Sequence, residues 1–407
     1  MPKTAENINK KLYLKMVLLL VGTICFFATN HIFTVVLPLM INARGFGLST
    51  VGYCAAAMGL MTILSKFITP LITKKIRTKI LVISDLLLMM VFAFTFIYAK
   101  SGVSVIILRA LFGIPFSIFP ILNLLVISQS FTTEQDVAKA TSIIGMGMPI
   151  SMILSPIISE WTIKTYSYNM AFFVAGCFAF LSSVLYSLGM RIPGCSNVFK
   201  SSKENEKSYK KISTFFESKK DIYSIGFPIF SFLFLGMADI LMLTYFSLFA
   251  EDVGASYSFF FSIFAISMVT VQALYSRIKL KNEKKLIAGY ILLAASIILI
   301  TFYKHLFFLT SGLSALLFGM GYSLVETTTN TIVVRTENNK DMTITIQQLS
   351  VCIGRTIAPW IASIFASSIQ QLRTCFLVFG VSLCLPILLS FISYIHMSNY
   401  SVMSRIT

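Results

Sequence analysis

The chain is 407 residues long, 56% hydrophobic and 12% charged, with a mean hydropathy of +0.83 and a formal net charge of +17. Globular chains in water carry about 25% charged residues, so this composition excludes a soluble fold and makes the bilayer the solvent. The excess of Lys and Arg would suit nucleic acid if it formed one surface, but it is scattered among short segments between apolar runs.

About 20 apolar residues cross a hydrocarbon core, and the chain offers that length twelve times. Residues 16–43 (span 1) and 45–65 (span 2) hold no Asp, Glu, Lys or Arg, and 80–99 (span 3) and 101–133 (span 4) hold one each. Residues 140–159 (span 5) and 165–190 (span 6) complete a first group. After a polar stretch come 222–250 (span 7), 253–276 (span 8), the shorter 286–303 (span 9), 305–334 (span 10), 342–372 (span 11) and 374–404 (span 12). This pattern predicts an all-α polytopic membrane protein of twelve transmembrane helices. It divides into an amino-terminal half over 1–190, a cytoplasmic linker over 191–221 and a carboxy-terminal half over 222–407. The linker carries eight Lys/Arg and four Asp/Glu and reads as a solvated connection.

With both termini cytoplasmic, 25 of the 33 Lys and Arg residues fall on the cytoplasmic face and five on the other. That is the positive-inside asymmetry. It orients the chain in the cell membrane, with lipid as its surroundings, and leaves no basic surface for nucleic acid. The first apolar run far exceeds the 7–15 residues of a signal-peptide core, so span 1 is expected to stay. Seven cysteines include no CxxC pair, which argues against a disulfide framework or a metal site. Neither a G-x-x-x-x-G-K-[ST] phosphate loop nor an HExxH metal pair occurs, so no enzyme and no ATP-driven pump is expected.

The halves repeat. Leu111-Phe112-Gly113…Phe116-Ser117 in span 4 returns as Leu317-Phe318-Gly319…Tyr322-Ser323 in span 10, at an offset of 206 residues. Ser155-Pro156 in span 5 corresponds to Ala358-Pro359 in span 11, at an offset of 203. Parallel repeats of this kind place a binding site near the midplane, between the halves.

The two groups of six around a cytoplasmic loop resemble the major facilitator superfamily over essentially the whole chain. "TPLITKKIRTK" stands where the family has its span 2–3 loop motif and keeps Leu71, Lys74 and Arg77, with Thr69, Thr73 and Ile76 in place of Gly, Asp and Gly. "LRALFG" is similar to the span 4 motif of proton-coupled members, with Arg109 and Gly113 in place. "GMGMPISMILSPIIS" resembles the Gly-Pro-rich antiporter motif, with Gly147 and Pro156 kept and Ser155 and Ser159 where Gly is usual. In general look the chain is similar to the proton-coupled drug and metallophore exporters. The resemblance implies two pseudo-symmetric six-helix halves, alternating access, no bound cofactor beyond a proton gradient, and a monomer.

A charge at mid-membrane costs roughly 2.5–3.5 kcal/mol on insertion scales, so those present face protein or water and have a use. The candidates are His31 (span 1), Arg109 (span 4), Asp239 (span 7), Glu326 (span 10) and Arg355 (span 11). In the fold that the chain resembles, spans 1, 4, 7 and 10 line the central cavity. From a rise of 1.5 Å per residue, His31 lies about 6 Å and Arg109 about 10 Å outside the midplane, Asp239 and Arg355 near it, and Glu326 about 10 Å inside. Asp239 and Glu326 read either as structural partners of Arg355 or as the titrating groups of transport. A buried carboxylate holds its proton more tightly and a nearby arginine loosens it, so separating the two would load or release a proton. His31 suits a relay or a hydrogen-bonded packing role. Arg109 suits stabilisation of one protonation state or capture of a substrate carboxylate by its planar fork. Asn30 and Asn330 are polar neighbours of His31 and Glu326, and helix–helix hydrogen bonds explain most such residues. Asp85 and Lys66 read as interfacial or mutually paired, and Glu160, Glu251 and Asp252 as solvated.

These features point to secondary active export of a small organic molecule by proton antiport. Two arginines with two acids suit an amphipathic, zwitterionic or anionic ligand, metallophore- or drug-like. Proton-coupled uptake of a polar nutrient is the alternative that the altered span 5 motif supports. A non-transporting receptor or scaffold would need large soluble segments, and the sequence has none.

Overall fold

The computed structural model describes residues 2–131, 134–192, 226–304, 306–334 and 340–403. The linker expected over 191–221, with Cys195, lies outside the described residues apart from its first two positions. All regular structure among the described residues is helical. The amino-terminal half holds α1 (Pro2–Ala43), α2 (Leu48–Lys75), α3 (Thr78–Thr95), α4 (Gly102–Ser130), α5 in two segments (Glu134–Gly145 and Gly147–Thr165) and α6 (Tyr168–Arg191). The carboxy-terminal half holds α7 (Phe227–Asp252), α8 (Ser258–Leu274), α9 (Asn282–Ile300), α10 (Phe307–Val334), α11 (Lys340–Phe365) and α12 in two segments (Ile369–Ser382 and Cys384–Met403). Eleven of these twelve are long and apolar enough to cross a membrane. The exception is α9, whose 19 residues begin with Glu283, Lys284 and Lys285 close to its start.

Hydrocarbon offers no hydrogen bonds, so a spanning segment must satisfy its backbone internally, and a helix does so. The side-chain hydroxyls follow the same rule. Thr62 donates to the Met58 carbonyl, Thr69 to Ser65, Ser155 to Ser151 and Thr331 to Thr327. Helix starts are capped by serines: Ser101 with Ser104 forms a capping box, and Ser167 and Ser368 accept from Met170 and Gln371. The α1–α2 turn uses Gly45 and Gly47 at positive φ, and the equivalent α7–α8 turn uses Gly254. Large apolar side chains such as Phe67, Leu71, Val103, Leu124, Trp161, Phe365 and Leu388 are exposed, which only a lipid solvent makes favourable.

The chain clusters into two compact units, Met1–Phe199 and Lys200–Thr407. Inside the first, α1 packs on α5 and α6, α2 on α4, and α3 on α4 and α6. Inside the second, α7 packs on α11 and α12, α8 on α10, and α9 on α10 and α12. The pairs are the same, shifted by six helices, so the sequence repeat is a repeat of packing. Its shared glycine explains the repeated motif. A Cβ on Gly113 would meet the Met58 carbonyl oxygen at 2.7 Å, and one on Gly319 would meet the Phe264 carbonyl oxygen at 2.5 Å. Only glycine lets α4 approach α2, and α10 approach α8, this closely.

One end of each unit is tied by an arginine. Arg44 donates to the Ala99 carbonyl at 2.6 Å and to Asn169 Oδ1 at 2.9 Å, joining the ends of α1, α3 and α6. In the second unit Arg373 donates to the Thr301 carbonyl at 2.9 Å, while Asp252 accepts from Tyr303 at 2.5 Å and pairs with Lys304 at 3.1 Å. Asp252 is therefore engaged rather than free in solvent. Glu160 departs further from the expected solvated role: it is buried and ion-paired with Lys164 at 2.7 Å.

The tightest crossing is between α7 and α11, where a methyl group on Gly354 would overlap the Leu233 carbonyl and one on Gly236 would overlap the Val351 carbonyl. Gly354→Ala is expected to lower stability by about 1–3 kcal/mol through overpacking. Gly145→Ala, with open space around it, is expected to stay within about 0.5 kcal/mol. Thermal unfolding of the detergent-purified variants measures both, and equal stability would refute the close crossing.

Candidate functional site

The glycine crossing of α7 and α11 also positions charge. Asp239 lies three residues beyond Gly236, on the same face of α7, and Arg355 immediately follows Gly354. The backbones approach closely enough for the short Asp239 side chain to meet the guanidinium. Arg355 Nη2 donates to Asp239 Oδ2 at 2.5 Å, with the Asp239 side chain 4% exposed and that of Arg355 30% exposed. The guanidinium is also within electrostatic reach of the buried Tyr322 hydroxyl on α10. One helical turn on from Tyr322 stands Glu326, half-buried and within electrostatic reach of both Arg355 and Asp239. It accepts a long bond of 3.4 Å from Gln272 Nε2 of α8, too stretched to be strong. The cluster thus brings two carboxylates and one guanidinium together from α7, α10 and α11. With both acids ionised its net charge is −1, a costly excess in a low-dielectric interior.

The equivalent helix pair in the other unit, α1 and α5, carries a neutral contact. His31 Nδ1 and Ser151 Oγ are 3.0 Å apart, and Ser151 also donates to the Met148 carbonyl at 2.6 Å. A hydroxyl has one proton, so both contacts are met when His31 Nδ1–H donates and Ser151 accepts. That assignment, drawn from the hydrogen-bond network, leaves Nε2 of His31 to exchange a proton. Asn30 is buried beside it, with Oδ1 lacking a partner.

Arg109 is 5% exposed and is held by aromatic faces rather than by an acid. Its guanidinium lies 5.7 Å from the Phe33 ring and 5.1 Å from the Phe112 ring, and Nη1 has no partner. Cation–π contact compensates part of its desolvation. Among the described residues no carboxylate forms a salt bridge with it.

Of the residues singled out from sequence, Asp239, Glu326 and Arg355 come together, while His31, Asn30 and Arg109 belong to the other unit. Asn330 sits at the exposed edge of α10, where its Oδ1 accepts from Gln347 Nε2 of α11 at 2.7 Å, a helix–helix bond. Pro156 is buried within α5. Gly147 opens the second segment of α5 where a Cβ would meet the Thr23 methyl at 2.8 Å, a packing role. Arg77 is exposed and precedes α3. The backbone of Lys74 belongs to α2, and its side chain lies outside the described residues. Sequence reasoning missed Tyr322 as a member of this cluster. A signal existed for Tyr322: it occupies the aromatic position of the repeat where the first half has Phe116, so the hydroxyl occurs in one half only.

The model of the family described as Major Facilitator Superfamily matches residues 19–359. No curated protein matches the chain. Among solved structures, the nucleoside transporter NupG is similar with a TM-score of 0.76 at 12% identity, covering 93% of this chain and 100% of that one. A bacterial homolog of the human lysosomal transporter Spinster, inward-facing and unoccupied, gives 0.72 at 12% identity, covering 94% and 96%. The peptide transporter POT gives 0.73 at 13% identity, covering 96% and 94%. At these identities the likeness is one of fold.

Removing one partner of a buried ion pair strands the other. Arg355→Gln is expected to cost stability toward the low end of about 3–5 kcal/mol, because the arginine is partly exposed. The double variant Asp239→Asn/Arg355→Gln is expected to recover most of that loss. A double-mutant cycle in thermal unfolding measures the coupling, and strictly additive effects would contradict the pairing.

Proposed function

Because the chain belongs to the major facilitator superfamily, we propose that it is a secondary active transporter exporting a small organic molecule by proton antiport with alternating access. The observation that carries this reading is the cluster of Asp239, Glu326 and Arg355, in which one guanidinium serves two acids. While Arg355 pairs with Asp239, the uncompensated negative charge falls on Glu326, and neutralising it takes one proton. A movement that draws Arg355 toward Glu326 transfers the deficit to Asp239 and releases the first proton. The loose Gln272 contact and the one-turn spacing from Tyr322 leave Glu326 free to take part, and the Tyr322 hydroxyl offers Arg355 a resting place between the acids. His31, hydrogen-bonded through Nδ1, keeps Nε2 for a relay.

Arg109 supports the substrate side of the proposal. A buried guanidinium with a free Nη1 and two aromatic faces suits an anionic group attached to an apolar body. Asn30 adds an acceptor. The ligand class is therefore amphipathic and zwitterionic or anionic, in keeping with drug- or metallophore-like cargo. The protein is proposed to work as a monomer in the cell membrane with both termini cytoplasmic, driven by the proton gradient and without a bound cofactor. Proton-coupled uptake is the second reading, favoured by one observation. Ser155 and Ser159 replace the usual glycines of the antiporter motif, and their hydroxyls are buried and bonded to carbonyls of their own helix.

Untargeted mass spectrometry of medium and cell extract, comparing cells that produce the wild type with cells that produce Glu326→Gln, tests both. A compound enriched outside only with the wild type supports export; enrichment inside reverses the direction. Glu326→Gln is expected to remain folded and to lose transport against a gradient, and normal accumulation by this variant would remove Glu326 from coupling. Arg109→Lys is expected to impair transport severely, since a point charge cannot reproduce the guanidinium's fork or its stacking. Full activity would reduce Arg109 to a diffuse charge.

A further inference from the structure

Asp85 stands apart from everything described so far. It lies on α3, about 10 Å along the helix from Thr78, and is 6% exposed. Its Oδ2 has no hydrogen-bond partner. It lines a cavity of about 150 Å3 formed by α2, α3 and α4, whose walls are the apolar side chains of Ile72, Leu81, Leu88 and Ile118. An apolar cavity of roughly this size accommodates benzene in another protein. Thr69 and Thr73 also face the cavity, but each commits its hydroxyl proton to a carbonyl of its own helix, Ser65 and Pro70. These two hydroxyls and the carboxylate therefore meet a guest as acceptors, while Ser84, which also lines the cavity, adds a hydroxyl that can donate or accept but no positive charge. To balance Asp85, a guest must bring a positive charge of its own. The apolar walls offer a bare metal ion too few oxygens and favour a hydrocarbon stem.

We propose that this cavity is a binding site for an alkylammonium group, with its –NH3+ against Asp85 Oδ2 and its stem along Ile72, Leu88 and Ile118. The group is supplied either by a free amine or by the headgroup of an aminophospholipid. The full-length protein in phosphatidylglycerol nanodiscs, titrated with n-pentylamine and separately with n-pentanol, tests this. The amine is expected to raise the melting temperature saturably and the alcohol to leave it unchanged. Asp85→Asn is expected to weaken the apparent affinity by roughly tenfold or more, as loss of a charged hydrogen bond does. Leu88→Phe, at the exposed edge of the cavity, fills it without touching the carboxylate and is expected to remove the response as well, which keeps the test valid if Asp85→Asn fails to fold. A stability gain in phosphatidylethanolamine nanodiscs that Asp85→Asn abolishes identifies the lipid as the source. An amine response without that gain identifies a soluble amine. An equal response to pentanol, an undiminished response in both variants, or no response to either amine source overturns the proposal.

Discussion

Hydrocarbon provides neither hydrogen bonds nor solvation for charge, and the molecule is organised around that denial. It forces every span to be a helix, returns many serine and threonine hydroxyls to the carbonyls of their own helices, and confines ionised groups to a few positions where a partner can be built. With no hydrophobic difference between helix and lipid, close packing has to hold the helices together. Gly113, Gly319, Gly236 and Gly354 lie where neighbouring backbones nearly touch. The same closeness lets a side chain as short as aspartate reach across a helix boundary. Packing and charge pairing are thus one problem solved at one place on α7 and α11.

The two units share a scaffold and differ in what it carries. The α1–α5 crossing holds a neutral His31–Ser151 contact, and the α7–α11 crossing holds the Asp239–Arg355 ion pair. On the cognate helices α4 and α10, one carries an arginine without an acid and the other an acid without its own arginine. Phe116 is matched by Tyr322, and Ser117 donates to the Thr62 carbonyl while the cognate Ser323 hydroxyl has no partner. Duplication explains the backbone, and divergence at a handful of buried polar positions explains why the halves are not chemically interchangeable.

Much of this was legible in the sequence, for identifiable reasons. Runs of uncharged residues of bilayer length have no competing explanation, so the helices follow, and the repeat shows because Gly113 and Gly319 cannot be replaced without separating helices. Depth along a span is also readable, which is why Asp239 and Arg355, both near mid-span, are natural partners. The azimuth of a side chain is not readable, because α7 is apolar on every face and shows no stripe. Ser151 therefore went unrecognised as the partner of His31, since a serine in a span already has its own helix to bond. Tyr322 stands in the repeat, but the repeat does not say which side chains its hydroxyl faces, and Glu160 reads as a solvated end because its position along α5 says nothing of what covers it. Asp85 reads from the sequence as interfacial or paired with Lys66, because only three helices together reveal the cavity onto which it opens.

The sequence separation of the central ion pair bears on how the protein is made. Synthesis runs from the amino terminus, so Asp239 enters the bilayer 116 residues before Arg355 exists. An aspartate at a helix centre costs about 2.5–3.5 kcal/mol on insertion, while each Leu, Ile or Phe favours it by about 0.3–0.6, and α7 is rich enough in these to insert without help. It then waits, with an unpaired acid, while four further helices are threaded. The last of them, α11, brings Arg355 together with Gln347 and Gln348 and is the poorer candidate to insert unaided. Asp239, already in place, gives it a counter-charge. The pair that balances the finished protein thereby also sets an order of assembly, in which the self-sufficient helix receives the dependent one.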